Sequence, residues 1–170
     1  QMPYVKQLRD KTKWARERLA PYVPRDGLDK SGGAVAETVA SPQDLGYRTS
    51  TKLCLGEDEF GRRTVGLYER GSKTVVAVGN CPVHHPAVNQ VVARLVGGRQ
   101  LPPAPFYRHG KRTFQPGKLK FLTVRYCPET DAFGVVLSHT GVAKDSLAAW
   151  AAAVAQPNIS IYEAALAKSD

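Results

Sequence analysis

Two segments that alternate in polarity, each folded back on itself by a turn sequence, constrain this chain more than anything else in it. Tyr47–Leu55 alternates well enough for a strand, Glu57-Asp-Glu-Phe-Gly61 turns it, and Thr64–Glu69 returns beside it. Arg70-Gly71-Ser72 turns again into the β-branched run Thr74–Val78. Further on, Leu119–Tyr126 reads as a strand, Pro128-Glu-Thr-Asp131 as its turn, and Phe133–Ser138 as its partner. Hairpins of this kind must cover one face, and the helical stretches between them can do so. Pro86 stands at a first helical turn, followed by Val88, Val91, Val92 and Leu95, with Gly97-Gly98 as the stop. Lys144–Ala155 carries Leu147, Trp150 and Val154 on one side, and Asn158–Tyr162 reads as a last strand. The order predicts an α+β fold, an antiparallel β-sheet with helices packed on one side.

The N-terminal part reads differently. Residues 4–20 form a predicted helix with Tyr4, Leu8, Ala15 and Leu19 at helical spacing. Lys6, Arg9, Lys13 and Arg16 line its opposite side, and Pro21 and Pro24 close it. Gly, Ser, Pro and Asp crowd the stretch to Gly46, which suggests a long loop with one short strand near Ala34–Val39. The organisation is therefore a helix in residues 1–24, a loop or linker in 25–46 and an α+β domain in 47–170. At 170 residues the chain is long enough to bury a core without disulfides. Its three cysteines are far apart, the pattern of free thiols in a cytoplasmic protein. No apolar run approaches the ~18 residues of a membrane span.

Charge says more about function. Lys and Arg number 24 against 15 Asp and Glu, a net +9, so a polyanionic partner is expected. Between Arg99 and Tyr126 stand seven bases (Arg99, Arg108, Lys111, Arg112, Lys118, Lys120 and Arg125) and no acid. Phe106, Tyr107, Phe114 and Phe121 are interleaved with them, His109 alongside. Bases that neutralise phosphates, alternating with rings that stack on nucleobases, suit an RNA surface; a solvated basic loop with its aromatics turned into the core is the plainer alternative. Nothing in the residues announces catalysis. No glycine-rich phosphate loop follows a strand and no Gly-x-Ser-x-Gly elbow occurs. Soft ligands cluster only at Cys81-Pro-Val-His84-His85, too few for a closed zinc site. Cys54 and Cys127 read as small core residues, and His84 and His85 as residues leading into the helix.

Four motifs in register are more specific. Ser41-Pro-Gln-Asp-Leu-Gly-Tyr-Arg48, Gly66-Leu-Tyr-Glu-Arg-Gly-Ser72, Val75-Val-Ala-Val-Gly-Asn-Cys-Pro82 and Pro86-Ala-Val-Asn89 together resemble the central region of SAM-dependent RNA (uracil-5-)-methyltransferases. Tyr4-x-x-Gln7-Leu8-x-x-Lys11 is similar to the helix that follows the Cys-Gly-x-Cys motif in iron–sulfur members. Gly117–Leu122 and Gly134–His139 are similar to that region's later hairpin. The pattern departs at Thr49, where the family carries Asn.

The resemblance implies the RNA-recognition part of an enzyme that makes 5-methyluridine, acting on ribosomal RNA, 23S in particular, in preference to transfer RNA. In the whole enzyme a Cys thiolate attacks C6 of a flipped-out uridine and C5 takes the methyl from SAM. Asp170 falls about where the family's Rossmann-like SAM domain begins, so the expectation is a fragment without catalytic or SAM-binding residues. The fragment's RNA contacts would be Arg48, Arg70, Arg108, Lys111, Arg112 and Lys120, with Tyr47, Tyr107 and Phe114 as stacking rings. Cys81 would be the fourth ligand of a [4Fe–4S] cluster in cluster-bearing members, incomplete here, with the other three upstream of Gln1. A cofactor-free monomer that binds RNA and no membrane is expected of the fragment itself. A stand-alone RNA-binding module or ribosome-associated factor without enzymatic activity is the alternative.

Overall fold

A computed structural model of the chain describes residues 2–22, 35–96, 101–108 and 115–166. It divides into two compact units, Gln1–Asp44 and Leu45–Asp170. In the first, helix α1 (Tyr4–Leu19) runs into a 3-10 turn at Ala20–Tyr22. Hydrogen bonds, not an apolar stripe, tie it to the chain after it. The Thr38 amide donates to the Thr12 hydroxyl at 2.9 Å, the Arg16 Nε–H to the Val35 carbonyl at 3.1 Å, and the Ser41 amide to the Tyr4 hydroxyl at 2.8 Å. Residues 35–39 are not a strand, unlike the sequence expectation for that stretch.

The second unit is a six-stranded sheet with two helices. The strands are β1 (Ser50–Glu57), β2 (Arg63–Tyr68), β3 (Val75–Ala77), β4 (Leu119–Cys127), β5 (Ala132–His139) and β6 (Ile159–Ala165). Helix α2 (Pro86–Val96) lies between β3 and β4 in sequence, and α3 (Lys144–Val154) between β5 and β6. The strand order is β3-β2-β1-β4-β5-β6. The α+β reading holds, as do the two hairpins. The sheet is mixed, however: β1 to β5 pair antiparallel, whereas β6 runs parallel to β5. The reason is α3, which carries the chain back along the sheet so that β6 starts from the same end as β5.

Strand register decides which residues meet the helices. Leu53 lies opposite Leu122, and Leu122 opposite Leu137; Leu55 lies opposite Val65 and Phe133 opposite Ile159. These residues form one apolar cluster with Val88, Val91, Val92 and Leu95 of α2 and Leu147, Trp150 and Val154 of α3. Both helices therefore cover the same face. Each fully buried Leu or Val there contributes about 1.5–3 kcal/mol. At the far edge the strands come very close: a Cβ on Gly66 would overlap the Val76 carbonyl of β3, so only glycine fits.

Candidate nucleic-acid interface

The residues between those core positions point to the opposite face, because side chains alternate along a strand. Lys52, Cys54, Tyr68, Phe121, Thr123 and Arg125 all have this parity; Cys54 pairs with both Gly66 and Phe121, and Lys52 with Thr123. A register shift between Leu119 and Phe121 turns Lys120 toward the same rings. The Lys52 ammonium lies 4.1 Å from the centre of the Phe121 ring, and Lys120 lies 4.8 Å from Tyr107 and 5.5 Å from Phe121. Lys73 lies 5.3 Å from the Tyr68 ring. The two acids within the strands, Glu57 and Glu163, have the parity of the helix-covered side: Glu57 follows Leu55 by two and Glu163 pairs with Leu137. The outward strand positions are thus basic, aromatic, small or neutral. On the same side of the sheet the Cys54 thiol is buried and shares a hydrogen bond with Tyr68. Burial pushes the Cys54 thiol above its ordinary range, and burial first, then Cys54, does the same to the Tyr68 phenol.

The anticipated basic segment is reached from this face. Tyr107 donates its amide to the Leu119 carbonyl at 2.7 Å, which holds it beside β4. The Gln115 side chain clamps the backbone of Arg108, accepting from its amide at 3.0 Å and donating to its carbonyl at 2.8 Å. Thr140 anchors the following turn, its carbonyl accepting from the Gly117 amide at 2.7 Å. Arg108 itself is paired with Glu57 at 2.9 Å. Lys111, Arg112 and Phe114 lie outside the described residues. The segment's rings divide: Phe106 is buried in the core under the Arg63 guanidinium, whereas Tyr107 and Phe121 face outward.

A second cluster joins two of the sequence motifs. The Gly46 and Arg48 amides donate to the Pro82 and Val83 carbonyls, both at 2.9 Å, and the His85 amide returns a bond to the Arg48 carbonyl at 2.8 Å. Gly46 takes a positive φ of 70°, which glycine alone adopts freely. His85 caps α2, its Nδ1 accepting from the Ala87 amide, and His84 is buried beside it. Burial and the neighbouring Arg48 charge hold the His84 imidazole below its ordinary pKa, against a bond from Asn89. Asn89 also grips the Cys81 backbone at both ends, accepting from its amide at 3.2 Å and donating to its carbonyl at 3.0 Å. Cys81 thus lines a cleft of about 640 Å³ with Asn80, Pro82, His84 and Gln90. The described residues do not fit an iron–sulfur cluster by themselves, because no three His, Cys, Asp or Glu among them come together. Tyr47 is exposed, its ring 5.9 Å from the Arg48 guanidinium, and Arg70 is exposed in the turn after β2. Cys54 and Cys127, both expected in the core, part company: Cys127 is exposed at the end of β4, its thiol donating to Glu129.

Tyr107 and Lys120, each singled out in the sequence, lie together in the fold, but the sequence did not single out Lys52, Tyr68 and Lys73 beside them. Their signal was the strand alternation; the missing information was which strands lie side by side.

Comparison with known proteins gives a consistent picture. No family model matches the chain. An uncharacterised RNA methyltransferase of Geobacter sulfurreducens is 32% identical over 129 residues, covering 76% of this chain and 24% of that protein. One from Thermosynechococcus vestitus is 35% identical over 79 residues, covering 46% and 16%, and one from Synechocystis is 26% identical over 123 residues, covering 69% and 26%. The chain thus spans about a quarter or less of the length of these relatives. The crystal structure of the Pyrococcus abyssi tRNA (uracil-54, C5)-methyltransferase in complex with S-adenosyl-L-homocysteine shares the fold. Its TM-score is 0.65 at 19% identity, over 99% of this chain and 36% of that one. In sequence this chain is similar to a part of RNA methyltransferases, and in fold to a part of a uracil-5 enzyme, the resemblance that its four motifs carry.

Proposed function

We propose that this chain is the RNA-recognition part of an RNA (uracil-5-)-methyltransferase, and that the enzyme methylates a uridine of 23S ribosomal RNA with SAM as donor. One observation supports the RNA contact above others: the sheet face opposite α2 and α3 carries lysines over aromatic rings and no strand acid. Phosphates are anionic everywhere along a nucleic acid, so such a face attracts any strand, and its rings accept bases. Arg48, Arg70, Arg108, Lys111, Arg112 and Lys120 supply phosphate contacts around it, and Tyr47, Tyr107 and Phe114 further rings. The methyl transfer itself rests with residues outside this chain. Cys81, its backbone fixed by Asn89, stands where a thiolate could join three others supplied from elsewhere in a longer protein. The reading places the protein in the cytoplasm as a monomer; among the described residues no helix is long and apolar enough to cross a membrane.

The test is binding of the chain to a structured ribosomal RNA fragment across a salt series. With about four to six phosphates neutralised, log K against log[salt] should fall with a slope of roughly −3 to −5. A flat response would remove the RNA-recognition reading.

A further inference from the structure

Helix α1, in the Gln1–Asp44 unit, keeps one large ring away from its own packing. Its side toward residues 35–41 carries the buried Thr12 and the half-buried Tyr4, Leu8 and Ala15. Trp14 lies a step of about 100° around the helix from Ala15 and is 61% exposed. Rings of this size are enriched where a partner covers them. The two flanks of Trp14 differ in charge. On one side stand Asp10 and Glu17, the only acids of α1, each already held by a lysine: Lys6–Asp10 at 2.9 Å and Lys13–Glu17 at 3.8 Å. On the other stand Lys11, three residues before Trp14, and Arg18, four after it, both exposed. Among the described residues no carboxylate pairs with either. The Arg18 guanidinium lies 6.0 Å from the centre of the Trp14 ring.

We infer that the Lys11–Trp14–Arg18 stripe of α1 is a second RNA contact, on which Trp14 stacks against one unpaired base while Lys11 and Arg18 take phosphates on either side of it. This rests on the RNA reading above and adds a site in the other unit of the chain. The occupant follows from charge and size together. Two unpaired cations about 10 Å apart along the axis call for an anion with more than one charge, and an exposed ring between them calls for a flat partner. A single-stranded nucleic acid is both at once. A duplex hides its base faces inside the stack. A protein partner needs a much larger patch than one ring, and the neighbours of Trp14 along this side, Gln7, Lys11 and Arg18, are polar. The ring and the cations are separable by experiment, since stacking is a salt-independent part of the affinity and phosphate contact a salt-dependent part.

The experiment titrates the full chain with a ten-nucleotide oligouridine over a salt series and follows tryptophan emission. The chain has two tryptophans, Trp14 in water and Trp150 in the core, so the emission of exposed tryptophan reports on α1. Oligouridine should quench that component in the wild type and leave the emission of Trp14→Phe unchanged. Trp14→Ala should weaken binding by about tenfold with the salt slope unchanged. Lys11→Met and Arg18→Met should each flatten the slope by about 0.7, one released counterion for a single strand, whereas Lys6→Met, on the acid-bearing side, should leave it as it is. All five positions are exposed, and circular dichroism checks each variant's fold. Equal flattening by Lys6→Met would show that net charge alone matters and would overturn the stripe. So would a dimer in sedimentation that Trp14→Ala abolishes, because a second copy then covers the ring. If the wild type binds a structured ribosomal RNA fragment but Trp14→Ala binds oligouridine as well as wild type, the stripe falls and the RNA reading stands. If the wild type binds neither RNA at low salt, both fall.

Discussion

The two faces of the sheet in the Leu45–Asp170 unit are built from the same strands and do opposite things. Leu53, Leu55, Leu122, Val124, Val135 and Leu137 are all but inaccessible under α2 and α3. Of the residues between them, Lys52 and Arg125 are exposed and Thr123 is half-buried, whereas Cys54 and, opposite Tyr68 on β3, Val75 are closed off. A one-residue step along a strand therefore changes a side chain from holding the fold to being available for a partner. On the proposed reading, stability and recognition are encoded in alternate letters of the same segments, and mutations at adjacent positions should have unlike effects.

The largest effect breaks this comparison most directly. Leu122→Ala should cost about 2–5 kcal/mol in urea unfolding, because it leaves a cavity between sheet and helices. Its neighbour Thr123→Ala should cost about 1 kcal/mol or less. Similar losses at both positions would show that the face opposite the helices is as closely packed as the helix-covered one. Gly66→Ala comes next, at about 1–3 kcal/mol, since the added methyl must displace the Val76 carbonyl and with it β3. Here the outward face is as unforgiving as the core, for a backbone reason and not a side-chain one. A melting temperature unchanged from wild type would mean that β3 is free to move aside.

A smaller effect lies at His84, in the segment that joins the motifs ending at Arg48 and Pro82. Its folded pKa is lowered, so the unfolded chain takes up the proton first as pH falls below the ordinary value near 6.5. Its contribution is present in full above that value and is lost as pH falls through the lowered folded value, at no more than about 1.4 kcal/mol per pH unit. Urea unfolding of wild type and His84→Gln from pH 7.5 down to 5.5 should show the two converging in acid; parallel curves would show that the site is open to protons. The smallest effect is expected at the rim. Glu57→Gln removes the partner of Arg108, an exposed pair, and should change stability by less than about 0.5 kcal/mol. It should also tighten RNA binding, because Arg108 is then available for a phosphate; weaker binding would show that Glu57 positions Arg108 instead of competing for it.

Much of this fold was legible in the residues. Pro86 with its valine stripe gave α2, and the turn at Pro128–Asp131 gave the β4–β5 hairpin, because caps, turns and periodicity are local. Local signals also explain the misjudged cysteine: Cys127 sits in an apolar-looking run, yet the strand ends there and leaves it outside. The parallel pairing of β6 was not legible, since nothing in Ile159–Ala165 states on which side of β5 a returning chain will settle. The candidate site was legible in half. The seven bases without an acid suggested a polyanion surface, but Phe106 could not be told from Tyr107 by composition, although one is core and the other outward.

What the sequence determined by itself, then, is the identity of the elements, the excess of positive charge and the four motifs of the resemblance, all of which depend on neighbours along the chain. What only the tertiary structure decided is which of those elements stand side by side. Lys52 and Phe121 are 69 residues apart, and Gly46 and Pro82 are 36 apart. They meet because antiparallel pairing of β1 with β4 and a hydrogen-bonded return at His84 bring them together. Register is set by burying one face of the sheet against two helices. The composition of the other face is fixed by the same step, before any partner has touched it.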